Sequence, residues 1–292
     1  MTTVPALRDR RAGAARLQKH FHGFAPAIPA LLLLSVFFVL PVLALLLRSI
    51  LEPQLGLQNY VEVFGSTTYL RVFTNTFVVA GLVTVVTLAL AFPVAWLLAI
   101  APQRWASLLF SIIILSMWTN LLARTYAWMV LLQRTGIINH ALMQMGLISA
   151  PLQLVNNLVG VTIGMTYIML PFMILPLYTT IRTLDPAVFQ AASLCGASRT
   201  QIFFKLFLPL LGSGIAAGVL MVFVMSLGYF VTPSLLGGTS NMMLAELIAQ
   251  LVQSLLNWGL AGAAAVVLLV VTLAIYAVQF RYFGFGSTRE AR

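Results

Sequence analysis

Long apolar runs separated by short polar connections dominate the chain. Six runs each approach the ~20 residues that a helix needs to cross a bilayer. They cover about 27–49, 72–100, 106–132, 155–181, 207–231 and 260–281. The connections are 50–71, 101–105, 133–154, 182–206 and 232–259. The pattern predicts an all-α membrane protein with six transmembrane helices in a membrane domain over 26–284. A basic tail over 1–25 precedes it and a short tail over 285–292 follows. Pro41, Pro93, Pro171 and Pro176 fall inside spans, where each removes a backbone hydrogen bond and should bend its helix. Gly160 with Gly164, and Gly214 with Gly218, repeat at four-residue spacing, which lets helix backbones approach closely within a bundle or against a second chain. Within 232–259, the stretch from Gly238 to Asn257 reads as an amphipathic helix too short and too polar to span.

Composition agrees with this reading. Of 292 residues, 61% are hydrophobic and 8% charged, against about 25% charged in a soluble domain. The formal charge of +10 does not indicate nucleic-acid binding, because the basic residues sit at the ends of apolar runs rather than on one face. The apolar run after the basic tail is too long for a signal peptide and lacks a small-residue cleavage site. With the N-terminus inside, Arg8, Arg10, Arg11, Arg16, Lys19, Arg104, Arg182, Arg199, Lys205, Arg281, Arg289 and Arg292 are cytoplasmic, twelve of the sixteen basic residues. The positive-inside rule therefore predicts that both termini and the 182–206 loop are cytoplasmic. Cys195, the lone cysteine, excludes an internal disulfide and reads as a small apolar filler.

That loop is the most heavily punctuated stretch of the chain, DPAVFQAASLCGASRTQIFFKLFLP over 185–209. Asp185 can cap a helix whose first position is Pro186. Gly196 is a natural stop. Ser198 and Gln201 form a capping box that opens a second helix, expected to run to Pro209. An amphipathic surface helix needs neither two caps nor an elbow.

Residues 190–209 read Q-A-A, three residues, G, nine residues, L-x-L-P, which resembles the EAA motif of permease subunits in binding-protein-dependent ABC importers. Ala191, Ala192, Gly196, Leu208 and Pro209 fall on motif positions, with Ala197 and Ser198 beside the glycine. Gln190 stands where the family usually has glutamate, and Leu206 where it commonly has isoleucine. WTNLLARTYAW (118–128), YIMLPF (167–172), VTPSLLGG (231–238) and NWG (257–259) are similar to the spermidine/putrescine-type branch, and in particular to the first of its two permease subunits. The resemblance covers the chain from about residue 27 onward. It implies a type I ABC importer permease fold in the bacterial inner membrane, with 185–209 as the helix coupled to a cytoplasmic ATPase. It also implies a second permease subunit, two ATP-binding subunits that carry ATP and Mg, and a periplasmic solute-binding protein. A polyamine would cross by alternating access, or an amino-acid-like or opine-like solute in related branches.

Candidates for the solute path are Asn75, Trp118, Asn120, Arg124, Tyr126, Tyr167, Tyr229, Glu246 and Trp258. Arg124 lies in the third run, on a face expected to include Asn120 and Trp128. It either borders a cavity or snorkels to the outer surface. The aromatics can hold ammonium groups or serve as belt and core. Glu246 is the sole carboxylate of the 232–259 connection. Asn257 stands before Trp258 where polyamine-type members often have an acid. A polyamine path should offer carboxylates, and these runs offer almost none. There is no phosphate-binding loop, metal-ligand cluster or nucleophile constellation, so neither catalysis nor a cofactor is expected on this chain itself. A transporter driven alone by an ion gradient would need intramembrane carboxylates.

Overall fold

The computed structural model describes residues 27–283; the two tails, with the basic residues before position 20, lie outside them. Thirteen α-helical stretches are numbered in chain order, and a short 3-10 turn covers Thr239–Asn241. α1 is Ile28–Leu51, α2 Gln58–Gly65, α3 Thr67–Ile100, α4 Gln103–Trp118, α5 Leu121–Leu132 and α6 Ile137–Gln144. α7 is Leu158–Thr183, α8 Pro186–Leu194, α9 Arg199–Leu210, α10 Gly212–Leu227, α11 Val231–Leu236, α12 Leu244–Gln253 and α13 Trp258–Phe283. Four helices are long and apolar enough to cross a membrane singly. Two further pairs of apolar helices are bent at a short break, and the number of spans is six if each pair crosses as one.

The third apolar run is not one helix. α4 ends at Trp118, and the chain turns by 99° into the helical stretch that begins at Leu121. Asn120 makes the break: its Oδ1 accepts the N–H groups of Leu122 and Ala123 at 2.9 and 3.2 Å, capping α5. A cap lies outside the helix it starts, so Asn120 shares no helical face with Arg124 and Trp128, contrary to the expectation from spacing. The fifth run is broken as well. The second helix of the loop ends at Leu210, beside the expected stop at Pro209, and meets α10 at 57°.

Two prolines are accommodated in the same way. Ser35–Val39 and Phe203–Phe207 are π-turns, in which Leu40 donates to the Ser35 carbonyl and Leu208 to that of Phe203. Each turn is followed by Leu-Pro. The wider turn re-routes the ladder just where the proline ring would strike the preceding carbonyl. Pro93, Pro171 and Pro176 sit inside α3 and α7, which continue through them as single helices.

α3, α7 and α10 form the main core. Val79, Val83, Ala91, Ala95 and Leu98 of α3 meet Met165, Met169, Met173 and Leu177 of α7, with Val222 of α10. The four-spaced glycines are used within this chain. A methyl on Gly164 would lie 2.9 Å from both Leu236 Cδ1 and Thr232 Cγ2 of α11, and one on Gly218 would lie 2.7 Å from Met173 Sδ. At Gly160 the obstacle is the backbone carbonyl of Leu154, which cannot rotate away as a side chain can. Gly160→Ala is therefore expected to cost about 2 kcal/mol by overpacking. Thermal unfolding of the purified protein in detergent would register this as a lower Tm, while Gly81→Ala, where a methyl meets nothing within 4 Å, would not.

A second core joins α2, α12 and α13 through Val63, Leu244, Leu247, Leu251, Leu260 and Ala264. α1 rests on α13, and Ser49 is its one buried residue among those described. Asn59 of α2 closes the end of α1 by donating to the carbonyls of Ser49 and Glu52 at 2.9 and 2.6 Å. Gly259 leaves room for this contact, since a methyl there would lie 2.8 Å from the Glu52 carbonyl.

Candidate functional site

One end of the bundle carries the loop 185–209. Asp185 Oδ1 accepts the N–H of Ala187 at 2.8 Å, and Pro186 opens α8. α8 ends in a Schellman arrangement: Ala197 donates to Ala192 at 3.1 Å, and Gly196 to Ser193 at 3.0 Å. Gly196 has φ +81°, a conformation that disfavours a Cβ. The capping box is complete, with Ser198 Oγ accepting from Gln201 at 3.3 Å and Gln201 Oε1 accepting from the Ser198 N–H at 2.9 Å. These local bonds hold the elbow without help from the bundle.

α8 is displayed rather than buried. None of its residues is buried; Gln190 and Ala191 are exposed, and Leu194 is 90% exposed. Phe189 is the tether. Its ring lies 6.2 Å from Phe207 of α9, which in turn meets Phe92 and Trp96 of α3 at 6.3 and 6.0 Å. Phe203 joins them at 6.2 Å from Phe92 and 6.1 Å from Trp96. Each such pair contributes about 1 kcal/mol beyond its buried area. Sequence reasoning missed this joint, although the i,i+4 pairs Phe92/Trp96 and Phe203/Phe207 were a visible signal for stacked rings.

Arg104, Arg182, Arg199, Lys205 and Arg281 lie at this end with a single acid, Asp185. The opposite end holds Arg48, Arg71, Arg124 and Arg134 with Glu52, Glu62 and Glu246, counted among the described residues.

At that opposite end the proposed path residues divide. Arg124 of α5 and Tyr229, which precedes α11, are near enough for their side chains to interact electrostatically. Thr125 and Thr232 Oγ1 atoms are 3.3 Å apart. Arg124 Nε is buried with no hydrogen-bond partner among the described residues. Tyr167 stacks edge-on against Trp128 at 5.6 Å. These residues form one polar and aromatic cluster where α5, α7 and α11 meet. Thr125 and Thr232 had not been singled out, because hydroxyls inside apolar runs carry no distinctive pattern.

The other path candidates lie apart from this cluster. Asn75 donates to the Ser240 carbonyl at 3.0 Å and so ties α3 to the loop before α12. Trp258 lies beneath the Arg48 guanidinium at 4.9 Å, and Arg48 pairs with Glu52 at 3.7 Å. Asn257 caps α13 by accepting from Leu260 at 3.1 Å, a task an acid would perform equally well. Trp118 is 85% exposed and Tyr126 49%.

Glu246 occupies the first turn of α12. Its carboxylate lies near the Met243 backbone N–H, and Oε2 is buried without a partner among the described residues. Burial raises its pKa above the ordinary carboxylate value, and the Met243 N–H offsets part of that. The folded state thus holds the proton more tightly than the unfolded chain. Its stabilising contribution is present below the unfolded pKa and lost as pH rises through the folded one. Glu246→Gln should unfold at a higher temperature than the parent at neutral pH, with the two melting curves converging near pH 4. A constant difference across that range would refute the assignment.

The comparisons with known proteins accord with this geometry. The chain is 35% identical over 225 residues to the spermidine/putrescine transport system permease protein PotB of Haemophilus influenzae, covering 77% of this chain and 78% of that one. It is 33% identical over 225 residues to PotB of Escherichia coli K12, covering 77% and 82%. Among solved structures, it superposes on a chain of a bacterial ABC transporter that imports the acidic polysaccharide alginate, with TM-score 0.73, 19% identity, and 91% and 98% of the two chains covered. It also superposes on a chain of the bacterial alginate ABC transporter in complex with alginate pentasaccharide-bound periplasmic protein, with TM-score 0.75, 17% identity, and 91% and 95% covered. Residues 91–283 match the family described as binding-protein-dependent transport system inner membrane component. With its helical bundle, displayed α8 and these relatives, the chain belongs to the binding-protein-dependent inner-membrane permeases of ABC transporters.

Proposed function

We propose that this permease subunit moves a polyamine such as spermidine or putrescine across the inner membrane by alternating access, driven by ATP hydrolysed on partner subunits. The similarity to PotB over most of both chains carries the solute assignment. The chain is a transport subunit rather than an enzyme. In this reading ATP and Mg are bound by two ATP-binding subunits, a second permease subunit completes the pathway and a periplasmic protein delivers the solute. The excess of basic residues at the α8 end supports a cytoplasmic orientation for that end and, with it, for both termini. α8, with Asp185, Pro186, Gln190, Ala191, Ala192, Gly196, Ala197, Ser198, Leu208 and Pro209 shaping it and its elbow, is the surface on which an ATPase docks. Gln190 keeps hydrogen-bonding capacity there without the charge of a glutamate.

The Arg124–Tyr229–Tyr167 cluster borders the solute path. Arg124 is itself a cation and does not bind ammonium groups. It repels them, as a gate would, while the aromatic faces attract the solute. Arg124→Ala should reduce uptake about tenfold or more, whereas Arg124→Lys retains part of it. Unchanged uptake by Arg124→Ala would mean that the side chain merely snorkels.

Few carboxylates line either end, which favours an amino-acid-like solute as the second reading. ATP hydrolysis by the reconstituted importer, with its binding protein and a panel of polyamines and amino acids, separates the two. Stimulation by spermidine or putrescine supports the first, and stimulation by amino acids alone supports the second. An importer that moves solute without any ATPase attached would overturn both.

A further inference from the structure

A groove of about 670 Å³ lies beneath the loop, between the end of α3, the end of α7 and the α8–α9 elbow. Its apolar wall is Trp96, Ile100, Phe203 and Phe207, and Arg182 and Arg199 also line it. Neither guanidinium has a carboxylate within 4.0 Å among the described residues, where the one ion pair is Arg48–Glu52. Trp96 and Ile100 are 42% and 67% exposed, so the groove opens outward along α3. An apolar groove with two guanidiniums free of carboxylates, at the end of a membrane-spanning bundle, matches a molecule with a hydrocarbon chain and an anionic head.

We propose that this groove holds one anionic phospholipid of the cytoplasmic leaflet, its acyl chain against Trp96, Phe203 and Phe207 and its phosphate toward Arg182 and Arg199. Guanidinium is the better of the two basic groups for phosphate, because its planar fork presents paired donors. Aromatic rings at the same level favour the boundary between head group and chain. The groove's wall is also the joint that positions α8, so an occupied groove braces the elbow and an empty one leaves it to the ring contacts alone. The lipid is thus a regulator of how firmly the displayed helix is presented. The proposal rests on the assignment of this end to the cytoplasmic face.

The test uses the complete importer in lipid nanodiscs and needs no transport. Phosphatidylglycerol with brominated acyl chains quenches nearby tryptophan fluorescence, and brominated phosphatidylcholine is the neutral control. Trp96 should be quenched at a roughly tenfold lower mole fraction of the anionic lipid than of the neutral one. The Trp96→Phe variant identifies that part of the signal. In Arg182→Gln with Arg199→Gln the two lipids should become equivalent, and the preference should weaken in high salt. Equal quenching by both lipids in the parent protein would overturn the proposal, since the groove would then be ordinary boundary surface. So would protection of Trp96 from both, which would mean that a protein partner covers it. Solute-stimulated ATP hydrolysis measured on the same nanodiscs reports separately on the importer reading, so either can fail alone.

Discussion

Leu194→Asp is expected to abolish solute uptake while leaving the permease folded. Leu194 ends α8 and is 90% exposed, so no packing within this chain explains an apolar residue there. An apolar side chain displayed on a capped, rigid helix is the kind of feature that fills a pocket on a partner. Truncating such an anchor commonly costs 2 kcal/mol or more, about thirtyfold in affinity, and a carboxylate adds the desolvation of a charge. The measurements are co-purification of the ATPase and uptake in cells, beside a melting curve of the permease. The melting temperature should stay within the range of a surface substitution, about 0.5 kcal/mol. Normal ATPase capture by Leu194→Asp would show that α8 docks by another residue or not at all.

The second large effect is expected at Gly196. Its φ of +81° lies in the left-handed region, and a methyl placed on it would meet no atom within 4 Å. Any penalty there is therefore backbone conformation, not crowding. An L-residue in that region costs about 1–2 kcal/mol, a β-branched one more, and asparagine least. Gly196→Val should open the elbow, misdirect α8 and reduce uptake about tenfold. Gly196→Asn should keep half or more of it. Loss with valine and retention with asparagine, in protein of equal abundance, is the expected pattern. Equal loss in both would mean that the glycine is needed for close contact with a partner rather than for its φ.

Both effects arise in a loop that is local in origin, which is why so much of it was legible. Asp185, Pro186, Gly196, Ser198 and Gln201 bond within a few residues of themselves, and caps of that kind depend on spacing alone. The run from 106 to 132 misled for the opposite reason. Its hydropathy is continuous, yet Asn120 bonds two N–H groups and turns the chain by 99°. One cap outweighed the apolar average around it. Pro209 marked the end of its helix to within one residue, and what it did not show is the π-turn over Phe203–Phe207 that re-routes the ladder ahead of it.

The four-spaced glycines could be read as close-packing positions but not assigned a neighbour. Only the fold decided that Gly164 receives α11 and Gly218 receives α7. The nine path candidates show the same division. Residue type nominated all of them, and tertiary placement gathered Arg124, Tyr229 and Tyr167 while assigning Asn75 to the Ser240 carbonyl and Trp258 to Arg48.

The sequence by itself determined the membrane character, the apolar runs, the charge asymmetry between the two ends and the capped loop, because hydropathy, charge and capping act over one turn or one span. The tertiary structure alone decided where the runs break, which helices the glycines admit, how Phe189 and Phe207 brace α8 against α3, and which polar side chains meet. Those outcomes depend on contacts between residues tens to hundreds of positions apart, such as Thr76 accepting the N–H of Leu244 at 2.8 Å, and no local pattern encodes them.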